Sequence, residues 1–187
     1  MTELTVLVVN SGSSSVKYQL IKLPSETVVE KGQRNRLGIS GGEFANHTEA
    51  LADIFSALPD HVTIDVVGHR VVHGGDTFRA PVVVNDAIIT EIEGLSNLAP
   101  LHNPPNVEGI RAAIAVMPDV PQVAVFDTAF FSSLSPAAYR YAISRKLETT
   151  HGIRKYGFHG TSHHYVTQTL EKVAPRWASP VGSCHFI

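Results

Sequence analysis

Cysteine is nearly missing from this 187-residue chain: it has one, Cys184. No disulfide can close within it, which fits a reducing cytoplasm. Aromatic residues make up only 7%, and no apolar stretch reaches the ~18 residues that a membrane span requires. A large charge of either sign is also lacking. The net charge is −2 with no cluster of lysine and arginine, so nucleic acid is not an expected partner. After Met1-Thr2-Glu3 the chain goes straight into a strand pattern, without the basic and apolar regions of a secretory signal, and a cytoplasmic location is expected. Internal repeats, low-complexity tracts and a linker are absent, so the chain reads as one domain.

Hydrophobic residues are plentiful at 43%, and a chain of this size buries roughly 70% of its unfolded surface without a staple. Leu4–Asn10 and Lys17–Lys22 read as an antiparallel pair of strands, with Glu26–Lys31 as a third and residues 32–46 as a loop. Ala50, Leu51, Ile54, Phe55 and Leu58 recur at helical spacing before Pro59. Thr63–Val72 and Val123–Phe126 are apolar runs of the kind found in buried strands. Helical character is expected over Asn85–Leu98, from Pro104-Pro105 onward with Val107, Ile110, Ile114 and Met117 on one face, and over Pro136–Ile143. Thr161–Val173 reads as a helix with Tyr165, Val166, Leu170 and Val173 as its apolar positions. Strands first, then alternation of helix and strand, predict an α/β fold.

Five segments carry the residues of chemical interest. Asn10-Ser11-Gly12-Ser13-Ser14-Ser15-Val16-Lys17 joins two strands through a turn rich in hydroxyls and free N–H groups. Such turns cradle phosphate, and lysine adds a compact charge. It is not a Walker A loop, and an ordinary serine-rich hairpin turn is the competing reading. Gly68 to Gly75 contains Arg70, a planar fork matched to carboxylate or phosphate, although an arginine bridging two loops would look the same. His102, in Leu98 to Asn106, precedes a helix N-terminus, where it could face an anion or act as a cap. Asp127 directly follows an apolar strand, either as a functional carboxylate or as a loop anchor. The fifth, Tyr156 to His164, holds three of the chain's ten histidines. His159 and His163 are four apart, as in a zinc site, but Gly160 stands where a zincin has glutamate.

Together, in this order and spacing, these segments resemble the acetokinase family from the N-terminus to about Val173. The resemblance implies a ribonuclease-H-like α/β domain of the superfamily that includes acetate and sugar kinases, heat-shock chaperone ATPases and actin. It implies reversible phosphoryl transfer from ATP to acetate, giving acetyl phosphate and ADP, with Mg2+, in a homodimer. Asn10 matches the family residue near the metal and phosphates, and Ser13, Ser15 and Lys17 match the ATP phosphate loop. Arg70 matches the arginine on the acetate carboxylate or the transferring phosphoryl group. Val72, Leu101 and Phe158 match the wall around the acetate methyl group. Asp127 matches the residue usually given the acid/base role, and His102 and His159 match active-site histidines, His159 as transition-state stabiliser. Because a carboxylate substrate titrates near pH ~4 and has no proton to lose at neutrality, Asp127 is expected to organise magnesium, water or Arg70 instead.

Phe131 stands where the family commonly has histidine. Residues 1–176 are read as an N-terminal domain and 177–187 as an atypical tail, with the second, nucleotide-gripping domain missing. Transfer to propionate or butyrate and an inactive remnant of the family are the alternatives.

Overall fold

The computed structural model describes residues 2–59 and 61–173. The first apolar run forms β1 (Leu4–Ser11), which pairs antiparallel with β2 (Ser15–Leu23); β2 pairs antiparallel with β3 (Thr27–Asn35). On its other side β1 pairs in parallel with β4 (Val66–Val71) and β4 in parallel with β6 (Gln122–Phe126). A two-residue β5 (Val82–Val83) lies antiparallel at that edge, giving the order β3-β2-β1-β4-β6-β5.

Parallel neighbours need crossovers, and helices supply them. Before β4 comes α1 (His47–Ala57), whose cap Asn46 accepts the Glu49 N–H at 3.0 Å. Between β5 and β6 come α2 (Asp86–Gly94), capped by Asn85, and α3 (Asn103–Val116), with proline tolerated in its first turn. Leu7, Val9, Leu20 and Val67 of the sheet share one buried cluster with Leu51 and Ile54 of α1 and Ala112 and Ala113 of α3. A second cluster joins Val71, Ala124 and Phe126 to Ile89, Ile92, Val107 and Ile110, with Phe78 stacked on Phe126 at 4.4 Å. At Gly109 the helix presses directly on β1; a Cβ there would stand 2.0 Å from Ser11 Oγ.

The opposite face differs. Val6, Val66, Val123 and Val125 are only half-buried and Val8 is exposed. With Pro81 and Thr161 they line a cavity of about 610 Å³. The strands read as buried are therefore covered on one face only, among the described residues.

After β6 come a 3-10 turn (Ala129–Phe131), α4 (Pro136–Tyr139), α5 (Arg145–His151) and α6 (Gly160–Val173). The helix expected over 136–143 stops at Tyr139, because Arg140 turns extended and Ser144 then caps a separate helix. β3 runs into the expected loop at 32–46, since an edge strand paired on one side accommodates polar side chains. β5 is too short to leave a pattern. Helix α6 occupies its expected span, yet Tyr165, Val166, Leu170 and Val173 are all exposed. It touches the 3-10 turn and β6, and its apolar stripe lies open among the described residues. The proposed tail at 177–187, and the boundary at 176, lie outside the described residues.

Candidate active site

β1, β4 and β6 are parallel, so their carboxyl ends share one edge of the sheet, where α/β folds place ligands. Asn10, Arg70 and Asp127 stand at those three ends. The Arg70 guanidinium donates through Nη2 to Asp127 Oδ2 at 2.7 Å and through Nε to Oδ1 and Oδ2 at 3.1 and 3.2 Å. Its Nη1 lies 3.5 Å from Asn10 Oδ1. Asp127 is 1% exposed, so its charge is neutralised inside the protein by a partner that itself remains open to the crevice. The hydrogen bond to Asp127 raises the Arg70 pKa above its ordinary value, against the lowering effect of burial.

His159 closes the group. Its backbone N–H reaches Asp127 Oδ2 at 3.3 Å, and its Nδ1 lies 3.1 Å from Arg70 Nη2. Arginine can only donate, so Nδ1 accepts and the ring proton sits on Nε2, which is left free to donate. Asp127 Oδ2 is 3.7 Å from the same Nδ1, outside hydrogen-bond reach. His159 takes a left-handed backbone, φ 56°, which costs a non-glycine residue on the order of 1 kcal/mol. Gly160 follows, donating to the Asp127 carbonyl at 3.0 Å; a Cβ there would fall 2.1 Å from that oxygen.

Two adjoining cavities open beside Arg70. One, of about 380 Å³, is lined by Asn10, Ser11, Gly12, Ser13, Ser15, Lys17 and Asn106 and by Arg70, Val72, Leu101 and His102. The other, of about 430 Å³, shares those last four and adds Leu98, Ala99, Pro100, Phe158 and His159. Every residue matched to a site role by the resemblance lines one or both, except Asp127, which lies behind Arg70. The first is polar and turn-lined; the second has an apolar wall in which Leu101 and Phe158 are still exposed. His102 makes no side-chain cap bond to α3. His159 stands just outside α6, so the four-residue spacing to His163 does not stack the two rings on one helix. His163 packs edge-on to Phe131 instead, and among the described residues no group of three or more His, Cys, Asp or Glu gathers as a metal cluster.

Supports that the sequence reading passed over hold this edge in place. Asn103 and Asn106, both buried, bond the backbone of residues 72 and 73. Thr128 Oγ1 accepts the Gly74 N–H at 2.9 Å. His73, buried and with its pKa lowered by that burial, braces Phe158 edge-on at 5.7 Å and Tyr156 at 4.5 Å. Arg154 pairs with Asp76 and lies 4.0 Å over the Tyr139 ring, pinning the approach to Phe158 and His159. Two asparagines three apart, flanking the Pro-Pro of a helix start, were the available signal, since asparagine is disfavoured inside helices.

The family model described as Acetokinase family matches residues 5–186. The acetate kinase of Arthrobacter sp. (strain FB24) is 51% identical over 173 residues, covering 87% of this chain and 45% of that protein. The acetate kinase of Thermosipho africanus (strain TCF52B) is 46% identical over 191 residues, covering 90% of this chain and 47% of that protein. Among solved structures, Porphyromonas gingivalis acetate kinase superposes with a TM-score of 0.84 at 40% identity, over 91% of this chain and 49% of that one. A propionate kinase from Francisella tularensis subsp. tularensis SCHU S4 gives 0.79 at 36% identity, over 91% and 49%. The chain thus spans about half the length of the curated relatives it matches, and it shares their ribonuclease-H-like α/β fold.

Proposed function

The chain belongs to the acetokinase family, and from that premise we propose that it forms the acyl-phosphate wall of an acetate kinase. The reaction is reversible: a carboxylate oxygen of acetate attacks the γ-phosphorus of ATP, the bond to the ADP oxygen breaks, and acetyl phosphate forms. The observation that carries this reading is Arg70, clamped by buried Asp127 at the junction of a serine-lined turn and an apolar wall.

Phosphoryl transfer depends on positioning and on stabilising charge spread over the equatorial oxygens. Arg70 supplies a fixed positive fork, and His159 supplies an Nε2–H donor beside it. Val72, Leu101 and Phe158 take the methyl end, His102 borders both cavities, and Ser13, Ser15 and Lys17 face the nucleotide phosphates. Asp127 has both oxygens engaged by Arg70, so its part is to hold the guanidinium rather than to move a proton. Mg2+ is bound by few protein oxygens and many phosphate and water oxygens. Asn10 Oδ1, held among the described residues by a 3.5 Å contact from Arg70 Nη1, is the side-chain oxygen suited to it. When bound, the ion would neutralise charge between the phosphates.

Titration of this chain with acetyl phosphate and inorganic phosphate, followed by NMR, tests the reading. Binding should weaken at least ~10-fold in Arg70→Gln, the usual scale for losing a charge-assisted contact of 1.5–3 kcal/mol. Equal affinity in Arg70→Gln, with the fold intact by circular dichroism, would refute it. Calorimetry with ATP and Mg2+ separates a working kinase half from an inactive remnant. The likeness to a propionate kinase makes acyl length a measurable question. One methylene is worth about 1–3 kcal/mol, so acetate and propionate affinities should differ by a factor that the same titration resolves.

A further inference from the structure

We propose that Asn106 is a positioning residue whose buried carboxamide sets the separation between the serine turn and the strand end carrying Arg70; this rests on the phosphoryl-transfer reading above. The β1–β4 ladder runs from Val6↔Val66 to Val9↔His69 and ends there. Beyond it β1 stays with β2 as far as Ser11↔Val16, while β4 stays with β6 as far as Val71↔Phe126. The two central strands part, and the crevice opens in the gap.

Parting leaves main-chain groups facing each other without a rung, and a buried unpaired group costs about 1–3 kcal/mol. Asn106 fills the gap from α3. Its Nδ2 donates to the Ser11 carbonyl at 2.7 Å and its Oδ1 accepts the Val72 N–H at 3.0 Å. The orientation of the amide is fixed, because a carbonyl can only accept and an N–H can only donate. The side chain is 4% exposed, and Gly109, one turn on, lets α3 press against Ser11. Asn103 makes the same kind of pair with His73, at 3.1 and 3.0 Å; its Nδ2 also lies 3.5 Å from the Ile92 carbonyl, and it does not reach the turn. Asn106 therefore couples the lip that faces the phosphates to the lip that faces the acyl group. A misplacement of 1 Å between reacting groups can cost about 100-fold in rate.

The test compares Asn106→Asp with Asn103→Asp in the 15N-labelled 187-residue chain. Each substitution keeps the shape and the acceptor but sets a carboxylate oxygen against a backbone carbonyl. A purely structural role predicts that both variants lose stability and perturb the turn alike. If Asn106 acts as a wedge that spaces the two lips, only Asn106→Asp shifts the amide resonances of residues 12–15, and it weakens inorganic phosphate binding at least ~10-fold more than Asn103→Asp does. Unmoved turn amides in Asn106→Asp, or equal effects in the two variants, overturn the proposal. If either aspartate variant fails to fold, Asn106→Ser and Asn103→Ser are compared on the same amides with the same criteria. A wild-type chain that binds no phosphate sinks the phosphoryl-transfer reading instead, and the turn amides still decide the wedge.

Discussion

The two faces of the central sheet are built from the same kinds of residue and have met different fates. On one face Leu7, Val9, Val67, Val71, Ala124 and Phe126 are at most 1% exposed beneath α1, α2 and α3. On the other, Val6, Val8, Val66, Val123 and Val125 are just as apolar but border an open cavity. Strands that are apolar on both sides are the mark of a sheet covered on both sides. Composition therefore does not decide which residues hold this domain together; cover does. The site stands where the two regimes meet. Arg70 points to the open side of β4 while Asp127 behind it is buried, and an open cation held by a closed anion is what an anion-handling crevice needs.

The largest contrast should appear on large-to-small substitution. Phe126→Ala removes a ring stacked on Phe78 within a closed cluster and should cost about 3–5 kcal/mol in urea unfolding. Val125→Ala, its neighbour on the open face, should cost about 1 kcal/mol or less. Similar losses for the two would show that the open face is covered in solution, and the comparison would break.

Acid should then sharpen it. His69 points to the covered face, 3% exposed, with Nε2 against Gln122 Oε1 at 2.8 Å. Burial pushes its pKa down to about 4. The folded state holds His69 neutral where the unfolded chain, near 6.5, already binds a proton. The stability it supports is thus complete above pH ~6.5 and is lost as pH falls towards about 4, a linkage of about 3 kcal/mol. Unfolding midpoints measured at pH 7 and at pH 4.5 should separate for the wild type, and less so in His69→Gln. Equal pH dependence in the two would remove His69 as the cause.

The β1–turn–β2 unit, the crossover helices and the cluster of Asn10, Arg70, Asp127 and His159 at one sheet edge were readable in the sequence. The elements rest on local pattern: apolar runs, Gly/Ser punctuation, a Pro-Pro start; the gathering of the four residues followed from the family resemblance, since each segment alone also allowed a structural reading. What escaped depends on tertiary placement. Nothing local distinguishes Val8 from Val9, although one is 37% exposed and the other 1%. Periodicity gave α6 an apolar stripe without saying whether anything lies against it. The break at Arg140 turned on Ser144 acting as a new cap, a signal outweighed by the apolar residues on either side. Asn106 was present in a quoted motif, but its importance follows from where two strands part company, which no spacing encodes.

The smallest effect is the most discriminating. Val8→Thr keeps the branched shape that suits a strand and adds one hydroxyl to the open face, where water can satisfy it. Its stability cost should stay within about 0.5 kcal/mol, the range of ordinary surface substitutions. Binding of an apolar dye should nevertheless fall, because the row through Val6, Val8 and Val66 is interrupted. The same change at Val9 would leave a hydroxyl unpaired inside the closed cluster and cost about 1–3 kcal/mol. Two adjacent valines, identical in chemistry and opposite in facing, would then report separately on closure and on openness. A dye signal unchanged by Val8→Thr would mean that the apolar surface of this chain resides on α6 rather than on the sheet.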